Sequence, residues 1–251
     1  MAELPVIRIA PNPDIRLHDF DDGISIAVVD DFLADPHNLV ANVAEYAGEF
    51  VSKPVGHPCR GRDIEESAIQ DLRRFIRSNL SRVFRFHRAD IKLKAFLSNL
   101  ALKPEELSPY HRMCHIDPRI SPIHHTYAGI VYLFANPELG GTGFFRWKAK
   151  DIAVRAYELA LHDIDAALEY LREHSEHYRK PPEYMTASND IAELLAAMPA
   201  KFNRAVFYSG GIPHSAHITR PDLLTSVPTR GRLTLNLFAG VRPKDVAGGA
   251  V

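Results

Sequence analysis

The chain has 251 residues, 46% hydrophobic, 24% charged and 9% aromatic, an ordinary globular composition with enough length to bury a sizeable core. Thirty lysines and arginines against 31 aspartates and glutamates give a formal net charge of -1, which excludes a global positive field for a nucleic-acid backbone or an anionic membrane surface. Two cysteines, Cys59 and Cys114, are too few for a disulfide scaffold. No apolar run approaches a membrane span, and the opening MAELPVIRIA carries neither a basic leader nor an apolar h-region. The expectation is a reduced, cytoplasmic protein without nucleic-acid or membrane partners.

In chain order, the β-branched run ISIAVV (24–29) predicts a strand. Asp35 and Pro36 then supply an N-cap and a first-turn proline for a helix carrying Leu39, Val40, Val43, Ala44 and Ala47 at helical spacing. After a Pro/Gly-rich loop (53–62), Asp63 is the expected cap of a second helix with Ile64, Ala68, Leu72, Phe75, Ile76 and Leu80 on one face. Its other face is basic, with Arg73, Arg74, Arg77 and Arg82, and reads as a solvated surface.

From Ile91 the apolar period changes to two, and strands are expected over 91–97, 109–117, 126–134, 142–148, 204–209, 215–219 and 232–240. Residues 151–198 break this pattern. Val154 to Leu171, and then Ile191, Leu194, Leu195 and Met198, read as two helices split by RKPPEY. The tail after Arg242 reads as a disordered end.

Many short strands with turn residues between them imply a mainly β fold with flanking helices, of jelly-roll type rather than a doubly wound α/β sheet. One domain covers 1–251. It divides into an N-terminal strand and helices (1–90), a jelly-roll core (91–150 and 200–242) and a helical insertion (151–199).

Chemistry concentrates in the histidines, of which there are thirteen. In His115-Ile116-Asp117 an imidazole and a carboxylate stand at i and i+2 of an expected strand, so they project from one face roughly 7 Å apart. They need a third ligand, and His214 in IPHSAH supplies a candidate, with His217 as its competitor. In the last strand Arg232, Thr234, Asn236 and Phe238 share one face while Leu233, Leu235, Leu237 and Ala239 share the other. The leucine face should pack outward and turn Arg232 and Thr234 inward. A buried guanidinium is costly unless an anion neutralises it, and its fork fits a carboxylate. Two histidines and one carboxylate leave three positions open on a non-haem Fe(II), unlike a closed, cysteine-rich structural zinc site.

In this order, His115-x-Asp117, His214 and Arg232-x-Thr234 on a β-rich chain resemble the Fe(II)/2-oxoglutarate-dependent dioxygenases. AGIVYLFANPELGGTGFFRWK (128–148) is similar to the segment of the prolyl 4-hydroxylase-like branch in which two strands of a double-stranded β-helix (a cupin-like core) meet at a glycine turn. VVDDFLADPHNL (28–39) resembles the lead-in of an uncharacterised bacterial subgroup. The resemblance spans about residues 93–240. It implies Fe(II), 2-oxoglutarate as cosubstrate and O2, with His115, Asp117 and His214 as metal ligands and catalytic centre. It also implies Arg232, assisted by Thr234, on the distal carboxylate, and Tyr132 as a further cosubstrate contact. Because Asp117 is a carboxylate rather than a small residue, hydroxylation or another oxidation is implied rather than halogenation.

The substrate class stays open between small molecule, amino acid and peptide. The N-terminal helices and the insertion offer area for a homodimer interface or a lid. The alternative to an enzyme is a non-catalytic cupin-like barrel that holds a metal or ligand without turnover. His111, His124 and His125 could line a substrate mouth but read rather as surface or hydrogen-bonded core histidines, Cys114 as a small packed hydrophobe, and GGTG (140–143) as a tight turn rather than a phosphate loop.

Overall fold

The computed structural model describes residues 5–20, 23–45, 50–52, 59–88, 90–118, 123–160 and 162–242. The expected disordered tail and most of the 53–62 loop lie outside the described residues.

Among the described residues two antiparallel sheets form the body. The larger has eight strands: β1 (Ile15–Phe20), β2 (Ile24–Val29), β3 (Val51–Ser52), β4 (Cys59–Asp63), β5 (Lys92–Leu100), β6 (His125–Tyr132), β9 (Ala205–Ser209) and β11 (Arg232–Val241). Their spatial order is β1-β2-β9-β6-β11-β5-β4-β3. The smaller sheet has the order β10-β7-β8, from β7 (Gly141–Trp147), β8 (Ala192–Met198) and β10 (His214–His217). A single bridge from His115 to His214 extends its β10 edge. From β5 onward the chain alternates between layers: β5 large, His115 small, β6 large, β7 and β8 small, β9 large, β10 small, β11 large.

The period-two pattern of β11 sets the layering. Leu233, Leu235, Leu237 and Ala239 join the core cluster that contains Leu72, Phe75, Ile76 and Leu80 of the helical segment, each fully buried large side chain contributing roughly 1.5–3 kcal/mol. The opposite face points between the sheets, where Ile130, Tyr132, Phe144 and Tyr208 form a second cluster.

Helix α1 (Pro36–Glu45) begins as expected, with Asp35 Oδ1 accepting from the Asn38 N–H at 3.2 Å. The second helical segment starts later than its expected cap, because Asp63 is the last residue of β4 and pairs with Phe96. A tight turn (Glu66–Ile69) leads into α2 (Gln70–Phe75), a wider turn (Ile76–Leu80) and α3 (Ser81–Val83). Of its basic face, Arg73 is tied to the Ile91 carbonyl and Glu66, and Arg74 to Asp71.

Three sequence expectations are corrected. Residues 109–117 are not a strand. Ser108-Pro109 starts a helical turn over Pro109–Arg112, and only His115 makes a bridge. The first insertion helix is two, α4 (Lys150–Ala160) and α5 (Ile164–His174), because Asp163 Oδ1 accepts from the N–H groups of Asp165 and Ala166 and opens a new helix. The segment carrying Ile191, Leu194, Leu195 and Met198 is strand β8, not a helix. AELLAAM has strong helix propensity, but β7 offers it an unpaired ladder, and Asn189 Oδ1 turns the chain into it by accepting from Ile191 and Ala192. The helical insertion is therefore 150–174, and 192–198 belongs to the β core. Among the described residues no helix is long and apolar enough to cross a membrane.

Candidate metal and anion site

Three side chains from separate elements meet between the sheets. His115 Nε2 lies 4.0 Å from Asp117 Oδ1, and His214 Nε2 lies 3.6 Å from Asp117 Oδ2. All three ligand atoms lie within 4.8 Å of one another, the one such His/Cys/Asp/Glu group among the described residues. Two metal–ligand bonds of about 2.1 Å span roughly 4.2 Å end to end, so both distances from Asp117 suit a shared ion. The donor set, two imidazoles and one carboxylate, suits a first-row metal with open positions.

Backbone bonds hold the ligands together. His115 and His214 exchange N–H···O bonds of 2.9 Å, and the Asp117 N–H donates to the Gly210 carbonyl at 2.8 Å. His214 Nδ1 donates to the Ile212 carbonyl at 2.8 Å, which fixes the tautomer and leaves the Nε2 lone pair facing Asp117. Asp117 and His214 are buried, while His115 is partly open. His115 and Asp117 converge through a bend after the Pro109–Arg112 turn, not through the pleat of a strand.

His217 is not brought to this group. It pairs with Gly141 on the far side of β10 and donates from Nε2 to the Thr186 carbonyl at 3.0 Å.

The same cavity, about 90 Å³, reaches Arg232 and Thr234. That is well above the roughly 10–15 Å³ needed to hold a single water. Arg232 is 4% exposed. Its Nε and Nη2 donate to the carbonyls of Gly140 and Gly141 at 3.3 and 2.8 Å, and among the described residues no carboxylate pairs with it. Burial pushes the guanidinium pKa down, and the nearby phenols of Tyr132, Tyr184 and Tyr208 partly oppose this. The acceptors sit on a turn that Gly140 makes with φ +87°, a left-handed conformation few side chains adopt. Thr234 is buried beside Arg232 and accepts from Asn236 Nδ2 at 3.0 Å.

Tyr132 stands one layer back. Its hydroxyl bonds Thr142 Oγ1 at 2.7 Å, and Thr142, not Tyr132, lines the cavity. Residues not foreseen in the sequence complete the wall: Tyr184, whose hydroxyl donates to the Leu102 carbonyl, Tyr208 packed edge-on against His214, and Tyr110 and Met113 at the bend, where His111, the one of the three mouth candidates that lines this cavity, also stands. Burial raises the phenol pKa of Tyr184 and Tyr208, so both stay neutral donors. Tyr208 could have been found from the alternation of β9; Tyr184 lies in an aperiodic stretch.

His124 is buried against Asp90 at 3.1 Å, and His125 is exposed at the start of β6. Cys114 packs with Phe145, Met185 and Ala192, and burial raises its thiol pKa.

A family model described as "Family of unknown function (DUF6445)" matches residues 11–239. The chain belongs to this family. No curated protein matches this DUF6445 chain in sequence. Among solved structures it is similar to a prolyl-4-hydroxylase from Pseudomonas putida, at 13% identity and TM-score 0.42, covering 87% of this chain and 92% of that one. HygX from Streptomyces hygroscopicus, with nickel and 2-oxoglutarate bound, gives 13% identity and TM-score 0.42 over 88% and 83%. EvdO2 from Micromonospora carbonacea var. aurantiaca gives 14% identity and TM-score 0.44 over 90% and 89%.

Proposed function

We propose that this DUF6445 chain is an Fe(II)- and 2-oxoglutarate-dependent oxygenase that hydroxylates a small molecule, amino acid or peptide. One observation carries the reading: a two-histidine, one-carboxylate cluster shares one cavity with a buried arginine that has no carboxylate partner among the described residues. The alternation of successive strands between two sheets supports a double-stranded β-helix of jelly-roll type. A chain with two cysteines and no disulfide framework suits a reducing, cytoplasmic setting.

His115, Asp117 and His214 would hold the metal on one side and leave its other positions to cosubstrate and O2. When bound, iron with 2-oxoglutarate supplies oxidative chemistry in which one oxygen atom of O2 enters succinate, released with CO2, and the other enters the substrate. Arg232 holds the distal carboxylate with its fork and offsets the cost of its own burial by doing so. Thr234 adds a hydroxyl to the same carboxylate. The neutral phenols of Tyr184 and Tyr208 keep competing negative charge out of the cavity. A carboxylate at 117 rather than a small residue favours hydroxylation or another oxidation over halogenation.

The test is anaerobic addition of Fe(II) and 2-oxoglutarate to the full chain. The expected result is the weak visible charge-transfer band of the chelate, absent in Asp117→Ala. A folded, metal-loaded protein without the band would overturn the reading. The band without succinate release across a broad substrate screen would identify a binding protein instead.

A further inference from the structure

His214 sits in strand β10, and backbone bonds tie His115 to His214 and Asp117 to Gly210. The described chain from Pro109 to Cys114, which leads into these two ligands, pairs with no strand. Side chains of the helical insertion and the segment after it fix the course of that run.

Tyr178 Oη donates to the Pro109 carbonyl at 2.9 Å, and Tyr110 Oη donates to the carbonyls of Ala156 and Tyr157 at the end of α4, at 3.3 and 3.2 Å. Arg112, 4% exposed, donates from Nη2 to the carbonyls of His177 and Lys180 at 3.0 and 3.2 Å, while His177 Nε2 donates back to the Arg112 carbonyl at 3.1 Å. The Arg112 guanidinium lies 4.8 Å over the Tyr178 ring. The Cys114 N–H, next to the ligand, points to Met185 Sδ at 3.2 Å. Tyr110, Met113, Ala156, Leu171 and Tyr178 close one apolar cluster around these bonds.

We infer that Arg112 and Tyr178 are positioning residues, and that the helical insertion (150–174) with the segment just after it is the frame that, together with those backbone bonds, keeps His115 and Asp117 at metal-binding distance from His214. The inference rests on the metal reading proposed above. Residues 150–180 are thereby tied to the metal centre through buried hydrogen bonds rather than free to swing as a lid. Groups bonded directly to metal ligands typically change metal affinity 10- to 100-fold when removed, and Tyr178 and Arg112, one step further back, belong at the low end of that range.

The experiment is a Co(II) titration of the full chain, read by the ligand-field absorption of the bound ion, on wild type, Tyr178→Phe, Arg112→Lys and a control, Asp30→Asn. Tyr178→Phe removes only the hydroxyl bond to Pro109. Arg112→Lys keeps the charge and loses the fork. Asp30→Asn breaks the ion pairs with Arg204 and Arg16, remote from the bend.

Expected are about a tenfold rise in Co(II) Kd and an altered band shape for Tyr178→Phe and Arg112→Lys, with Asp30→Asn binding as wild type does. Should Arg112→Lys fail to fold, Tyr178→Phe decides. Wild-type binding by Tyr178→Phe, or an equal loss in Asp30→Asn, would overturn the inference and leave the metal reading standing. No Co(II) uptake by wild type would overturn both.

Discussion

Gly210 and Asp117 approach so closely that a Cβ on Gly210 would stand 2.9 Å from Asp117 Cβ and 3.0 Å from its Oδ2. The same glycine accepts the Asp117 N–H and donates its own N–H to the Thr126 carbonyl, so neither partner can retreat without breaking a bond. The same Cβ would stand 3.1 Å from the Thr126 carbonyl oxygen, so Gly210→Ala should push Asp117, Cβ and carboxylate together, away from its place beside His214. The expected outcome is on the order of a tenfold or greater loss of divalent-metal affinity with the fold retained, measured by Co(II) titration beside far-UV circular dichroism. Unchanged affinity would show that the carboxylate position is not critical.

Arg232→Met should separate stability from binding. The wild-type side chain pays desolvation for a guanidinium that two carbonyls satisfy only in part, whereas methionine fills similar space without charge. Against that gain, the Gly140 and Gly141 carbonyls lose a donor, a cost of about 1–3 kcal/mol per unsatisfied group. The two effects nearly cancel, so Tm should move by only a few degrees. Binding of 2-oxoglutarate to the metal-loaded protein should weaken at least a hundredfold, the order of 3 kcal/mol that removing one partner of a buried ion pair costs. Metal affinity should stay as in wild type. Calorimetric titration of metal and then keto acid would check both, and retained keto-acid affinity would remove Arg232 from the site.

What was legible in the sequence followed from local periodicity. The alternation of Arg232, Thr234 and Asn236 with leucines is a property of one strand, and it correctly set which face looks inward. The pairing of His115 with Asp117 was visible too, although the physical reason differs: a bend after Pro109 brings them together, not strand spacing. Strand β8 was not legible, because Ala192–Met198 is composed of helix formers and becomes a strand only through the edge of β7, fifty residues away in sequence. Tyr184 and Tyr178 were equally hidden, since each acts through a contact with a segment about seventy to eighty residues earlier. Long-range partners leave no periodic trace.

The two candidate third ligands can be told apart. His214 faces Asp117 with its Nε2 lone pair, whereas His217 spends its Nε2 hydrogen on the Thr186 carbonyl on the far side of β10. His214→Ala should abolish Co(II) uptake. His217→Gln, which keeps a donor toward Thr186, should leave it within about twofold of wild type and cost at most about 1 kcal/mol of stability. The reverse pattern would exchange the two assignments.

The bend should also respond to acid through His177. Burial, the largest influence, lowers this imidazole below its ordinary value of 6.5, and the bond to the Arg112 carbonyl opposes the shift without reversing it. The folded state thus holds a proton on His177 less tightly than the unfolded state does. Stability from the neutral imidazole is complete above pH 6.5 and is lost as pH falls from there through the lowered folded value. His177→Gln keeps an N–H toward Arg112 and removes the titration. Its Tm should fall less than that of wild type between pH 7.5 and pH 5.5, with the other twelve histidines common to both proteins. Thermal unfolding of the two proteins across that range is the measurement, and parallel curves would show that protonation of His177 is not linked to unfolding.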